Sequence, residues 1–189
     1  MSFTFNDLVQ LYEKKKKSHG INTYRHISKI LKEAKVLHKK YFMTQGKVDH
    51  EQSWRAFKGK NLEKLLVHIL TDEVHDLGLK ISSGNALERI SSSKLDEIFD
   101  RVKRNLLVDY GEFGMHLPDV DMIIFDPSDG YVLAVISIKV TLRERIAQTG
   151  YWKLKLSAAS VTKDIKVYFI TPDENGTLTI KKPTKKGGQ

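Results

Sequence analysis

The sequence predicts a mixed α/β fold, a central mixed β-sheet flanked by helices, with a helical region before it. Three observations predict this. Two β-branched apolar runs, Asp119 to Phe125 and Tyr131 to Val140, are separated only by the turn-forming Asp126-Pro127-Ser128-Asp129-Gly130, which is the pattern of a hairpin. A third strand-like run, Ile165 to Ile170, follows a helical stretch. Upstream, apolar residues recur at the spacing of amphipathic helices.

In chain order, a first helix is expected from Asn6 to Lys17, with Phe5, Leu8, Leu11 and Tyr12 forming its apolar side and Gly20 as a stop. Ile27, Ile30, Leu31, Ala34 and Leu37 predict a second from Thr23 to Tyr41, and residues 43–49 read as a loop. Ser53 can cap a third helix reaching about Leu77, with Leu62, Leu65, Leu66, Ile69 and Leu70 as its core stripe and Gly78 after it. Ser82-Ser83-Gly84-Asn85 interrupts the periodicity. A shorter helix is expected from Ser93 to Lys103, through Leu95, Ile98, Phe99 and Val102, and residues 110–117 read as irregular. After the hairpin, Leu142 to Ala159 reads as a crossover helix, which would lay the 165–170 strand parallel to the strand ending at Lys139. The domain reading is a helical N-terminal region at 1–49, a core at 50–172 and a basic tail at 173–189.

Composition narrows the function classes. At 189 residues and 40% hydrophobic the chain can bury a sizeable core, and no stretch reaches the ~20 apolar residues a membrane span needs. There are no cysteines, so disulfides and thiolate metal sites are excluded and any metal must take oxygen or imidazole ligands. His68 and His75 sit on one predicted helix, but no cysteine or close carboxylate pattern accompanies them as a zinc site would require. No signal-like segment opens the chain, so a cytoplasmic location is expected. The net charge of +9 attracts polyanions and makes DNA the natural partner. Lysines gather at 14–17, 39–40, 58, 60 and 181–186. Such runs are commonly solvated faces, and around a DNA-acting core they would also serve as phosphate contacts.

The chemistry is concentrated in the hairpin. Side chains alternate along a strand, so Asp119 and Asp121 share a face with Ile123 and Phe125. The return run is nearly all apolar, as in a strand buried on both faces, and ends at Lys139, whose ammonium is costly to bury without a partner. Antiparallel pairing is expected to bring Lys139 back beside Asp119. Carboxylates there could hold a divalent cation through hard oxygen ligands, and the ammonium could stabilise a phosphate in reaction or activate water, which suits metal-dependent phosphodiester cleavage. On their own these residues more often mean acids that open a strand and a lysine that snorkels at its end.

The residues Pro118-Asp119 followed by Ser137-Ile138-Lys139 resemble the PD-(D/E)XK nuclease signature, and Lys139-Val140-Thr141-Leu142-Arg143-Glu144-Arg145 resembles the K-x-S/T-L-R-E-R block of certain type II restriction endonucleases. The segment Ser53 to Leu66 resembles the helix that precedes the catalytic sheet in these enzymes, so the resemblance runs from Trp54 to Ile170. It implies a PD-(D/E)XK restriction-endonuclease-like core and a Mg2+-dependent enzyme that cuts double-stranded DNA at a specific sequence, leaving 5′-phosphate and 3′-hydroxyl ends. By the same resemblance Asp119 is the principal metal ligand, assisted by Glu63 and Asp121 and by the carbonyl of Ile138. Lys139 then positions or activates water. Ser137 departs from the family pattern, which has an acid there, and becomes a supporting hydroxyl while Glu63 or Asp121 supplies the missing charge. Arg143, Arg145, Thr141, Gln148, Lys58 and Lys60 are the expected DNA contacts, with Tyr151 and Lys153 farther along the same helix, although Glu144 could instead pair with an arginine and fix the helix start. Cutting both strands of a palindrome favours a homodimer. A repair or junction-resolving nuclease of the same fold, and a DNA-binding module without catalysis, are the alternatives.

Overall fold

A computed structural model describes residues 2–46, 49–89, 96–140 and 145–174. The chain divides into two compact units, Met1–Gly59 with the segment from Thr171 onward, and Lys60–Lys139 with the segment that ends at Ile170.

The first unit is helical. Helix α1 (Phe5–His19) opens where the Asp7 carboxylate accepts the Thr4 N–H at 2.7 Å, and it ends at Gly20, whose φ of +54° favours glycine. The expected second helix starts later than its periodicity suggests. Residues Gly20–His26 form a 3-10 segment in which the buried Thr23 hydroxyl donates to the Gly20 carbonyl at 2.6 Å, and helix α2 occupies Ile27–Met43. Ile27, Ile30, Leu31 and Ala34 are buried along its inner face. Helix α3 (His50–Asp76), by contrast, starts before the expected Ser53. Asp49 is its cap, accepting the Gln52 N–H at 2.9 Å. The first ten residues of α3 belong to the first unit, where Trp54 is buried, and the rest to the second.

The second unit holds a four-stranded sheet of β1 (Lys80–Ser83), β4 (Met122–Phe125), β5 (Val132–Ile138) and β6 (Lys166–Ile170), in the order β1-β4-β5-β6. Strands β1, β4 and β5 pair antiparallel, whereas β5 and β6 run parallel from Ala134↔Lys166 to Ile138↔Ile170. The mixed sheet and its parallel last strand match the expectation. Helix α6 (Arg145–Ser157) lies in the crossover before β6. Strand β1 and helix α4 (Gly84–Arg89) replace the expected interruption at residues 82–85, because a four-residue edge strand leaves little alternation to read. Helix α5 (Glu97–Leu106) is capped by Asp96, which accepts the Phe99 N–H at 2.9 Å. The expected start at Ser93 lies outside the described residues. The stretch read as irregular holds a 3-10 turn and a short strand, β3 (Met115–His116), which pairs with β2 (Val108–Asp109) just before it.

The hairpin turn is held by its own side chains. Asp126 accepts the Ser128 N–H at 2.8 Å, Asp129 accepts the Tyr131 N–H at 2.8 Å, and Gly130 has φ +76°. The Ser128 bonds hold the Asp126 carboxyl below its ordinary value. Beneath the sheet, Ile123, Phe125, Val132 and Val135 pack with Leu87, Val102, Leu106 and Leu156 in a core that fixes the two central strands.

Candidate active site

The β4–β5 ladder ends in a carboxylate. Asp121, in the bend before β4, donates its N–H to the Ile136 carbonyl at 3.0 Å, and its Oδ2 accepts the Ile138 N–H at 2.6 Å. A main-chain donor aimed at an ionised acid forms a short, charge-assisted bond, so backbone geometry holds this side chain in place. Lys139 Nζ stands 3.9 Å from Asp121 Oδ1, an ion-pair separation longer than a hydrogen bond. Its own N–H donates to the Ile170 carbonyl at 3.1 Å, so β6 fixes where the lysine leaves the sheet.

Glu63, half-buried on α3 within the second unit, completes the cluster. Burial pushes its carboxyl above the ordinary value, and the negative charge of Asp121 adds to this, while Lys139 and Lys64 pull it down. Glu63 therefore feels both the Asp121 carboxylate and the Lys139 ammonium.

The juxtaposition differs in one respect from the expected one. Lys139 lies beside Asp121, and Asp119 is exposed and accepts a 2.8 Å hydrogen bond from Gln148 Nε2 on α6. The reason is local. Regular β4 begins only at Met122, opposite Ile136, and the bend at Asp121 carries Asp119 off the ladder. Ser137, the neutral residue at the altered motif position, is buried at 4% exposure, and Ile138 contributes its N–H to Asp121.

Among the described residues no three His, Asp or Glu side chains converge as a ready-made ligand set. Glu63 and Asp121 nevertheless suit magnesium, which binds through one or two carboxylates and completes its shell with water and substrate phosphate. A cation between them would offset the part of the Glu63 shift that comes from Asp121, while the larger part comes from burial.

The remaining expected contacts fare differently. Lys58 is 8% exposed and its ammonium is paired with Glu174 at 2.5 Å, so it is not presented to a ligand. Lys60 is exposed. Arg145 opens α6, while Thr141 and Arg143 lie outside the described residues. Sequence reasoning missed Gly84. Its N–H donates to the Asp121 carbonyl at 3.0 Å, and a Cβ there would lie 1.8 Å from the Val120 carbonyl oxygen. The only trace in the sequence was a glycine directly after a serine pair.

Fold and cluster together define a mixed α/β protein with an acid–lysine site at the ends of its two central strands. Comparison with known proteins supplies the family. Residues 98–188 match the family model described as BsaWI restriction endonuclease type 2. The chain is 38% identical over 137 residues to a Methanocaldococcus jannaschii protein named "Putative type II restriction enzyme MjaVIP", covering 71% of this chain and 59% of that protein. It is 34% identical over 134 residues to a Helicobacter pylori protein named "Probable type II restriction enzyme HpyAORF263P", covering 71% of this chain and 67% of that one. The chain belongs to the type II restriction endonuclease family. It spans about three fifths of the first relative's length and two thirds of the second's. No solved structure matches. Among the described residues no helix is long and apolar enough to cross a membrane.

Proposed function

We propose that this chain hydrolyses phosphodiester bonds of double-stranded DNA at a specific sequence, with Mg2+ as cofactor, and acts as a homodimer. The observation that carries the reading is the meeting of Asp121, Lys139 and Glu63 inside a chain of restriction-enzyme ancestry. Magnesium, when bound, supplies charge neutralisation at the phosphate and a more acidic water.

The residues divide the remaining work. Asp121, its Oδ2 fastened by the Ile138 N–H, and Glu63 hold the cation, and Asp119 takes a supporting place steadied by Gln148. The Lys139 ammonium meets the negative charge that grows on the phosphate as water attacks phosphorus. The bond to the 3′-oxygen breaks, that oxygen takes up a proton, and a 5′-phosphate and a 3′-hydroxyl result. Ser137, buried and neutral, takes no part in ligation. Lys60, Arg143, Arg145 and Thr141 are proposed to contact DNA, and the net charge of +9 favours the encounter. Two-fold pairing of the chain would match a palindromic site.

The test is digestion of unmethylated phage DNA with and without MgCl2, by the wild-type protein and by Asp121→Asn, Lys139→Met and Glu63→Gln. Discrete metal-dependent fragments that vanish in the variants support the reading. Fragments that favour junctions over linear duplex point to a shape-directed nuclease, and tight binding without cutting points to a binding module.

A further inference from the structure

The turn between β2 and β3 is tightly built, yet it delivers a large apolar side chain to solvent. Tyr110 donates its N–H to the Gly114 carbonyl at 3.0 Å, Gly114 to the Gly111 carbonyl at 2.9 Å, and Asp109 accepts the Gly111 N–H at 2.7 Å. His116 Nε2 and the Phe113 carbonyl oxygen are 2.7 Å apart. Gly111 and Gly114, at φ +64° and +76°, allow the reversal. At the tip Phe113 is 80% exposed, with Met115 at 54%. A ring held exposed on so firm a turn is preorganised to meet a partner at little entropic cost.

Its position identifies the partner. Strand β3 leads from the turn to Asp119 within three residues. Helix α6 is fastened to both places, through the Tyr110–Tyr151 hydroxyl pair at 2.6 Å and through Gln148 to Asp119 at 2.8 Å. Lys155 Nζ lies 4.5 Å from the centre of the Tyr110 ring. Gln148, Tyr151 and Lys155 follow one another along one face of α6. The exposed ring, Lys155 over the neighbouring Tyr110 ring and Asp119 are thus tied together through α6.

We propose that Phe113 is a wedge that stacks against the bases of double-stranded DNA beside the bond to be cut, with Lys155 on a neighbouring phosphate. Apolar side chains inserted at a base step unstack it, and aromatic rings stack on bases regardless of sequence. The inference rests on the nuclease reading above and adds to it a residue that grips the duplex.

The experiment uses Phe113→Trp and Phe113→Ala in the full chain, with unmethylated phage DNA fragments as the probe. Trp54 and Trp152 are 3% and 8% exposed, so the introduced indole is the accessible reporter. Binding is followed by gel shift in Ca2+ and acrylamide quenching is measured on the complex. We expect the indole to become protected on binding. We expect Phe113→Ala to melt like wild type and to lose roughly five- to a hundredfold in DNA affinity. An indole quenched equally with and without bound DNA overturns the proposal, as does Phe113→Ala binding and cutting like wild type. A shift in oligomeric state by sedimentation, with DNA affinity unchanged, overturns it in favour of a contact between copies. In those cases cleavage by the wild type leaves the nuclease reading standing. Protection without cleavage by the wild type supports the wedge and removes the nuclease reading, and absence of DNA binding removes both.

Discussion

Lys139 Nζ stands 3.9 Å from Asp121 Oδ1, while the other oxygen of the same carboxylate is taken by the main chain of Ile138. The pair is set by sheet geometry, because both residues sit where the β4–β5 ladder ends and β6 pins the Lys139 backbone.

This relationship ranks the two hairpin acids. Asp121→Asn is expected to reduce cleavage at least a hundredfold or so, because it removes charge from the carboxylate beside Lys139. Asp119→Asn and Gln148→Ala, which disturb a supporting bond, are expected to cost roughly 10- to 100-fold. Initial rates on a mapped DNA site decide the order, and equal losses at Asp119 and Asp121 would contradict it.

Glu63 gives a stability signature independent of activity. Its carboxyl is raised by burial and by Asp121, so the folded chain holds that proton more tightly than the unfolded chain does. Its contribution is fully present below the ordinary carboxylate value and is lost as pH rises through the raised one. Without divalent metal, Glu63→Gln is therefore expected to be more stable than wild type at pH 8, and the difference should shrink toward pH 4. Magnesium should stabilise the wild type more than the variant. Urea unfolding across that range, with and without MgCl2, checks both.

In the first unit, His38 is 8% exposed among Phe42, Trp54 and Phe57, with the His50 ring centre 5.2 Å away. Burial lowers its imidazole and His50 adds to this. The unfolded chain then takes up the proton more readily, so stability falls as pH drops below 6.5 toward the lowered value. His38→Phe is expected to flatten that slope in denaturant titrations between pH 5 and 8.

Gly84 tests the backbone around Asp121. A methyl group there would meet the Val120 carbonyl at 1.8 Å, so Gly84→Ala must push the backbone next to the acid. A loss of about 1–3 kcal/mol in stability is expected, with cleavage falling more than stability explains. Thermal melting and rate measurements on the same preparation separate the two.

The sequence by itself determined a good deal. The period of the apolar runs, the Asp-Pro-Ser-Asp-Gly turn and the stripe of α3 specify the hairpin, the parallel last strand and the long helix, because these are local patterns written in consecutive residues. The same locality placed both aspartates and Lys139 among the candidates, and Glu63 joined them through the family resemblance of its helix. The tertiary structure decided what depends on contacts between distant segments. A four-residue edge strand, β1, exists through its pairing with β4. Gly84 matters because the Val120 backbone comes to it. Lys58 is neutralised by Glu174, far along the chain. Asp121 takes the place beside Lys139 because a bend before Met122 carries Asp119 toward Gln148. Spacing can say that two acids share a strand, but register and a bend decide which of them meets the lysine.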